Sequence, residues 1–522
     1  MANGELNFIF CTPTIFKITS LMSKSIWRKK PLSAYEADFK KSELNRVLGR
    51  WGLTSLGIGA IIGGGIFVLT GIAAHDWAGP ALAISFVIAG VGCTFAALCY
   101  AEFASILPVE GSAYAYSYGT VGEFFAWFIG WNLILEYMMG ATTVAVSWSG
   151  YFEKLLGLFH IHLPLYLAND PITAGEKAKK LLEAGETVPD YFFAFNLPAF
   201  LIVWLVTIIL VRGIKEAAST NNVIVVVKVA TVIFVIIVGA FYVDIANWTP
   251  FIPDAIPGDG SVVPEFDDGK EHYGFNGIVT AAGIVFFAYI GFDAVSTQAG
   301  EAINPKKDIP FAIIASLIIC TVFYILVSLV LTGMVNYTTM DLKAPVAQAF
   351  ADKGLTWAVY IITIAAVAGL TSVMLVMMLS QTRIFLGMAK DGLLPKGMFA
   401  SIHPKFKTPW KSTILVGAIV SIVAAVTPID KVSEMTSMGT LLAFSMICGA
   451  VWLLRKREPN IERPYRAPFL NIVAPLGIIF NVWLMTSLRL DTWKAFIVWG
   501  TLGIIVYFLY SRHKSNLNNP EE

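Results

Sequence analysis

The chain has 522 residues, of which 56% are hydrophobic and 14% charged, and its 37 basic and 36 acidic side chains nearly cancel. This composition excludes an ordinary water-soluble protein, and without a basic stripe it gives no reason to expect a nucleic-acid partner. The five cysteines and six histidines show no metal-ligand spacing. No P-loop, nucleophile elbow or HExxH motif occurs, so we expect no catalytic residues, no metal and no cofactor.

The chain begins with a polar, basic tail over residues 1–50. The apolar run LNFIFCTPTIF within it is too short and too interrupted for a signal peptide. Met22 opens a more plausible membrane-protein tail, so we expect residues 1–21 to be a start-site artefact. Beyond the tail we predict a core over residues 51–454, two further helices over residues 455–511, and a second short tail over residues 512–522.

Twelve apolar segments of 17 to 35 residues follow the first tail, and each is long enough to cross a hydrocarbon core of ~30 Å as a helix. Twelve is an even number, so both termini would lie on one side. That side would carry 26 of the 37 Lys and Arg residues, and the other side would carry 10. This bias predicts cytoplasmic termini and an external Pro- and Asp-rich loop over residues 244–273. The predicted spans are residues 52–74, 78–107, 121–148, 193–211, 218–243, 275–298, 311–334, 355–389, 411–427, 434–454, 469–488 and 493–511.

The first span is interrupted by glycines. The run LTSLGIGAIIGGGIFVLTG, residues 53–71, has no charge but contains Gly63, Gly64 and Gly65 in succession. Each glycine costs a helix interior about 1 kcal/mol relative to alanine, so we expect the helix to unwind there. A broken helix at bilayer depth presents free N–H groups to a carboxylate and free C=O groups to an ammonium, the two groups of an α-amino acid. Alternatively, the glycines only let another helix approach, and Gly59 and Gly63 have the spacing for that.

The sixth span repeats the interruption. The run GIVFFAYIGFDAVST contains Gly283 and Gly291, and Asp293 follows as a candidate N-cap of a second half-helix. An unwound turn at FAYIG would make Phe287 a candidate gate. Two interrupted spans, five segments apart, predict a binding site between inverted repeats of spans 1–5 and 6–10.

Several motifs occur in a fixed order along the chain: GIGAIIGGGIFVLTG, CYAEFASILPVEGSAYAYSY, GWNLILEY, FFAYIGFDAVST, NPKKDIP, RIFLGMAKDGLLP and RPYRAPF. In these motifs the sequence resembles the amino acid–polyamine–organocation superfamily, over about residues 25–510, and its cationic amino acid transporter branch in particular, bacterial members included. The resemblance implies an all-α integral membrane protein with the leucine-transporter fold. In that fold helices 1 and 6 of a 5+5 inverted repeat are broken, and helices 11 and 12 are peripheral. The family often has Ser or Thr where this chain has Gly64, which would remove a hydroxyl beside the ligand and add room.

One basic residue, Lys228, lies inside the fifth span. At 1.5 Å per residue it is roughly 15 Å deep, farther than its side chain can reach toward water. We expect Lys228 to cycle between charged and neutral forms while it contacts the carbonyls of Gly59 and Ile62 and the hydroxyl of Ser372. It would then carry the coupling proton in place of a sodium ion. The resemblance points the same way, because proton-coupled members carry a lysine here. The alternative is a fixed cation in a permanent ion pair.

Four acidic residues lie in or near the spans. Glu136, in the middle of the third span, could line the transport pathway, take part in coupling, pair with Lys228, or have a structural role. Glu102 and Glu123 lie near helix ends, where a structural role is favoured, although the resemblance makes Glu102 sensitive. Asp293 is favoured as a helix cap over a gating role.

These observations predict a permease that imports L-amino acids across the cytoplasmic membrane by proton symport and alternating access. No carboxylate is placed for a cationic side chain, so small neutral amino acids are the first expectation, and Lys or Arg the second. An exchanger is a rival of the same class, and a non-transporting amino acid sensor is a rival of another class. The sequence leaves open whether a small accessory membrane subunit takes part. The predicted substrate-binding residues, through amides, carbonyls or pocket side chains, are Ile61, Gly63, Gly64, Gly65, Phe287, Ala288 and Ile290.

Overall fold

The computed structural model describes residues 27–31, 48–106, 112–185, 193–213, 217–263, 266, 268–296 and 302–518, with side chains from residues 113 and 223 onward in the helices that begin at Ser112 and Ala217. Within these residues the chain is largely helical and forms no β-strand, so the predicted all-α class is confirmed. Residues 1–21, expected to be a start-site artefact, lie outside the described residues.

The described residues contain thirteen main helices. They are α1 (Arg50–Ile61), α2 (residues 65–78), α3 (Leu82–Ile106), α4 (Glu123–Gly157), α5 (Leu197–Arg212), α6 (Ala217–Ala240), α7 (Gly274–Val285), α8 (Pro305–Met334), α9 (Thr356–Lys390), α10 (Trp410–Val426), α11 (Ile429–Arg457), α12 (Leu470–Ser487) and α13 (Leu490–Val506). Shorter helical segments are Gly79–Ala81, Ser112–Thr120, Leu165–Ala168, Pro171–Glu183, Ile245–Trp248, Phe286–Tyr289, Tyr337–Thr339, Pro345–Asp352, Lys396–Phe399, Tyr507–Ser511, Arg512–Lys514 and Asn516–Asn518.

Many helical stretches have the length and composition of membrane spans. In the described part of the chain eight qualify: Gly65–Ile106, Val223–Ala240, Gly274–Ser296, Pro305–Met334, Thr356–Lys390, Ile429–Arg457, Leu470–Ser487 and Leu490–Lys514. The apolar helices α5 and α10 are shorter. Each of the twelve predicted spans overlaps one of these helices or α1 or α4, but the number of membrane crossings remains a prediction.

Hydroxyl side chains within these apolar helices bond to the backbone of their own helix. The Thr70 hydroxyl donates to the Ile66 carbonyl at 2.7 Å, and the Thr332 hydroxyl donates to the Ser328 carbonyl at 2.8 Å. A hydroxyl that returns its proton to the preceding turn needs no other partner. Serines and threonines that bond in this way leave no buried donor unpaired, whereas the hydroxyls of Thr363 on α9 and Ser437 on α11 have no partner among the described residues.

The two interrupted spans lie at the centre of the helix packing. Helix α4 packs along α9 and α11, and α8 packs along α3 and α1. The first turn of α2, residues 65–69, contacts the turn Phe286–Tyr289 that follows α7. The sequence motifs that interrupt these helices are therefore brought together inside the bundle. This is the arrangement expected for a site that closes off irregular backbone from lipid.

Candidate functional site

The first break lies directly after α1. Ile62 has an extended backbone, with ψ of 107°, and ends the helix. The Gly63 carbonyl then accepts hydrogen bonds from the amides of Ile66 and Phe67, both at 3.3 Å. The amides of Gly64 and Gly65 precede these first bonds of α2. They are therefore the free N–H groups of a helix N-terminus, where an anion is favoured.

Each of the three consecutive glycines faces a different neighbour. A Cβ atom would lie 3.2 Å from Val373 at Gly63, 2.7 Å from the Ser147 hydroxyl at Gly64, and 2.4 Å from Ala288 at Gly65. A side chain at one of these three positions would therefore displace α9, α4 or the turn Phe286–Tyr289, respectively. The closer-packing alternative also holds in part, because a Cβ at Gly59 would lie 2.3 Å from Val225 on α6. The room expected beside Gly64 is thus occupied by Ser147.

The second break follows α7. The single helical turn Phe286–Tyr289 ends at Ile290, whose backbone is extended with ψ of 131°. Gly291 then has φ of +125°, a conformation that other residues rarely adopt, and its Cβ position lies 2.8 Å from the Ala60 carbonyl group. The two breaks therefore touch at both Gly65–Ala288 and Ala60–Gly291.

Of the carbonyls predicted to hold an ammonium, which are those of Ile61, Phe287 and Ile290, the first two already have hydrogen-bond donors. The Tyr324 hydroxyl on α8 lies 3.0 Å from the Ile61 oxygen and 2.7 Å from the Ala288 oxygen. The Phe287 oxygen accepts from the Ile290 amide at 3.1 Å. Sequence reasoning missed Tyr324. The available signal was a lone tyrosine within an apolar span, since a buried hydroxyl needs a partner.

All seven predicted substrate-binding residues are buried around the two breaks. The exposed fraction is 3% for Ile61 and Phe287 and 1% for Ala288 and Ile290, and the three glycines are buried as well. The structure therefore brings together, in one enclosed region, the amides predicted to bind the substrate carboxylate and the carbonyls predicted to bind its ammonium. Their roles in binding remain predictions.

Lys228 reaches the carboxyl end of α1. Its ammonium donates to the Gly59 carbonyl and, at 3.2 Å, to the Ile62 carbonyl. Its aliphatic stem passes Gly369 on α9, where a Cβ would lie 2.5 Å from the Lys228 Cδ atom. Ser372 lies one turn further along α9 and is also buried. A cation at a helix C-terminus is stabilised by the helix dipole, so these carbonyls can hold the charged form.

The alternative of a fixed ion pair finds no support near Lys228. Among the described residues no carboxylate oxygen lies within 4.0 Å of its nitrogen, and the pairing considered for Glu136 does not form. Glu136 is fully buried, and its carboxylate accepts no hydrogen bond from the described residues. The Thr440 hydroxyl, which faces Glu136, donates instead to the Thr436 carbonyl.

Asp293 and Tyr137 form a buried pair beside the second break. The Tyr137 hydroxyl donates to the Asp293 carboxylate at 2.5 Å, and the Gly291 amide donates to the same carboxylate at 3.3 Å. Both side chains are essentially unexposed. These bonds hold the turn at Gly291 in place. Whether Asp293 also caps a half-helix remains a prediction, because residues 297–301 lie outside the described residues.

Glu102 and Glu123 hold helix ends together. Glu102 pairs with Arg455 and Arg463 and accepts from the Ala467 amide at 2.9 Å. Glu123, at the start of α4, pairs with Arg28 at 2.8 Å. It also accepts a hydrogen bond from the hydroxyl of Ser515 near the other end of the chain, and from that of Tyr507 at 3.2 Å. These contacts fit the structural roles that were favoured for both residues.

Apolar helices that break around buried amides and carbonyls fit a multi-pass membrane protein, and the family of this chain indicates a transporter rather than an enzyme. Residues 48–509 match the family described as amino acid permease, and the chain belongs to that family. The predicted membership of the amino acid–polyamine–organocation superfamily is confirmed.

Individual relatives span nearly the whole chain. The methylthioribose transporter of Bacillus subtilis is 44% identical over 494 residues, which cover 95% of this chain and 99% of that protein. The branched-chain amino acid permease BcaP of Bacillus subtilis is 43% identical over 499 residues, covering 95% of this chain and 100% of that protein. The vacuolar cationic amino acid transporter 4 of Arabidopsis thaliana is 36% identical over 418 residues, covering 80% of this chain and 64% of that protein.

Proposed function

We propose that this protein is a proton-coupled symporter that imports neutral L-amino acids across the cytoplasmic membrane by alternating access. One observation carries the proposal. The free amides of Gly64 and Gly65 lie at the helix terminus of one break, and the carbonyls of Ile61 and Ala288 lie beside them, all within an enclosed region. An α-amino acid carries the complementary carboxylate and ammonium on one carbon.

The substrate side chain would be neutral and aliphatic. The residues predicted to line its pocket, Ala288 and Ile290, carry no charge. The relative BcaP is named a branched-chain amino acid permease, and it is more similar to this chain than the Arabidopsis cationic amino acid transporter 4. Valine, leucine and isoleucine are therefore the first substrates to test, followed by alanine. Lysine and arginine are the alternative.

Proton coupling is proposed from the position of Lys228. Charged Lys228 donates to carbonyls at the end of α1 and passes between α1 and α9 at Gly369. Loss of its proton would weaken these hydrogen bonds and let α1 and α9 separate. A protein ammonium that binds these carbonyls takes the place that a sodium ion would otherwise need.

Twelve crossings with both termini in the cytoplasm complete the proposal. The helices α1 and α2 together with α7 and its following turn would be the first and sixth crossings. They would be related by the inverted 5+5 repeat. The bias of Lys and Arg toward the side of the tails supports this orientation.

Uptake into proteoliposomes tests the proposal. Purified protein is given labelled valine, alanine, arginine or methylthioribose, with and without an inward proton gradient, in sodium-free buffer. We expect valine to accumulate only with the gradient. Accumulation that needs internal amino acid would instead identify an exchanger, and binding without uptake would identify a sensor.

The second candidate substrate is methylthioribose, on the strength of the related Bacillus subtilis transporter. Methylthioribose uptake without any amino acid uptake would overturn the proposed substrate class while leaving the membrane-transport fold unaffected.

A further inference from the structure

We propose that Ser147 provides the hydroxyl that binds the substrate carboxylate at the first break, and that Gly64 and Ser147 together select substrates with a free carboxylate. This inference rests on the proposed function and deepens it. It names a residue on α4 as part of a site that was predicted from the two broken helices alone.

The structure places the Ser147 hydroxyl beside the backbone of Gly64. A Cβ atom at Gly64 would lie 2.7 Å from the Ser147 oxygen and 3.3 Å from the Ser147 Cβ, while its third neighbour, a Leu370 methyl carbon, lies at 3.8 Å. Ser147 is 1% exposed. The Ser147 oxygen therefore occupies the space of a side chain at residue 64. A larger residue at 64 and the serine at 147 exclude each other.

The Ser147 hydroxyl would exchange an acceptor in its own helix for a ligand carboxylate. It now donates to the Thr143 carbonyl of the preceding turn at 2.8 Å, which leaves its own lone pairs as acceptors beside Gly64. A carboxylate at the amides of Gly64 and Gly65 would offer a charged acceptor in place of that carbonyl. Hydrogen bonds to a charged acceptor are about twice as strong as those between neutral groups, so the hydroxyl would turn to the carboxylate.

An amide or ester analogue would gain less from this hydroxyl because it carries no charge. The pair Gly64 and Ser147 would therefore favour substrates that carry a free carboxylate. Only one of the two positions has room for a hydroxyl, so the group can be supplied from α4 or from the break itself. That condition makes an exchange of the two residues informative.

The experiment measures KM for labelled valine in proteoliposomes, and competition by valine and by valinamide. Ser147→Ala removes only the hydroxyl, and we expect KM to rise about tenfold, with the preference for valine over valinamide falling by a similar factor. Ser149→Ala is the matched control. Ser149 lies on the same helix, is equally buried, and bonds to Asn196 at 2.6 Å rather than facing the break. Its KM should stay within about twofold of wild type.

Exchange of the two residues separates chemistry from packing. Gly64→Ser alone should lose uptake because its side chain overlaps Ser147. The double variant Gly64→Ser/Ser147→Gly should recover a KM within about threefold of wild type, whereas Gly64→Ala/Ser147→Gly should keep the about tenfold defect. Equal recovery in both double variants, or an unchanged KM in Ser147→Ala, would overturn the inference. Absence of valine uptake in wild type would instead overturn the proposed function.

Discussion

At the scale of single residues, Lys228 combines full burial with hydrogen bonds to two backbone carbonyls of α1. Lys228→Met keeps the length of the side chain and removes its charge. We predict that this variant loses accumulation driven by a proton gradient, because methionine can neither carry the proton nor donate hydrogen bonds to α1. Substrate binding should persist, since Lys228 contacts neither group predicted to hold the zwitterion. The measurements are valine uptake with a proton gradient and valine binding by thermal shift. Undiminished gradient-driven uptake would contradict the mechanism, and a requirement for sodium would contradict the choice of ion.

Gly369 gives an independent test of the same contact. A methyl group there would lie 2.5 Å from the Lys228 Cδ atom, whereas a methyl group at Gly387 on the same helix would meet nothing within 4 Å. Overpacking costs about 1–3 kcal/mol, so we predict that Gly369→Ala slows proton-driven uptake by about tenfold. Gly387→Ala should be within about twofold of wild type, because alanine is favoured over glycine in a helix. Equal uptake rates for the two variants would show that the stem of Lys228 needs no fixed position.

Tyr324 joins the two breaks through one hydroxyl, which lies within hydrogen-bond distance of Ile61 and Ala288. Tyr324→Phe should lower the stability by about 1–2 kcal/mol and raise KM for valine several-fold, because the two sets of carbonyls are no longer aligned. Tyr289→Phe is the control. It also lies in the second break, but the hydroxyl that it loses donates to the Phe86 carbonyl on α3 at 2.7 Å and not to a carbonyl of either break. A similar loss of melting temperature in both variants, with KM raised only in Tyr324→Phe, is expected. A raised KM in both variants would assign the effect to general loosening.

At the scale of elements, the amphipathic helix Pro171–Glu183 lies outside the predicted membrane spans and carries a partly buried lysine, Lys177. Its start follows from Asp170, whose carboxylate accepts from the amides of Ile172 and Thr173, both at 3.0 Å. Burial, and then the neighbouring Lys343 ammonium, lowers the pKa of Lys177 to about 8. The folded protein therefore carries an unfavourable charge beneath this helix at neutral pH.

Lys177→Met should raise the melting temperature at pH 7 by about 1–2 °C. Below pH ~8 the lysine is charged in both the folded and the unfolded chain, so the folded state bears the full cost of burying it. Above that pH the folded protein releases the proton first, and the cost falls as the pH approaches ~10.5. The gain should therefore shrink between pH 7 and pH 10. Lys179→Met, on the same helix at a side chain that is 79% exposed, should show no such pH dependence. A gain for Lys177→Met that is constant with pH would contradict the electrostatic cause.

At the scale of the whole molecule, the charge bias predicts which loops face outward. Ser261 is exposed in the Pro- and Asp-rich loop, and Lys405 is exposed in a loop on the opposite side of the predicted topology. Ser261→Cys should react with a membrane-impermeant maleimide in intact cells, and Lys405→Cys only after permeabilisation. The described native cysteines, Cys93, Cys99, Cys320 and Cys448, are buried and should give little background. The reverse labelling pattern would invert the proposed orientation.

The helical architecture and the two breaks could be predicted from the sequence because both depend on local chemistry. Long apolar runs require helices in lipid, and glycines such as the run Gly63–Gly65 or the pair Gly283 and Gly291 disfavour a continuous one. The partners of the breaks could not be predicted in this way. Ser147, Tyr324 and Gly369 lie on three other helices, and their contacts depend on the rotation of each helix within the bundle. Apolar periodicity gives little information on rotation in a helix that is hydrophobic all round.

Glu123 has a practical consequence for anyone who handles this protein. The carboxylate binds Arg28 from the first part of the chain and Ser515 from the last, so both segments are held at the start of α4. A truncation that begins after residue 31 would remove Arg28, the basic partner of Glu123. Tags should be joined through flexible linkers, and shortened variants should keep the stretch from Trp27 onward. In a library of shortened variants, those that lack this stretch would lose a stabilising contact without any change in the predicted substrate site.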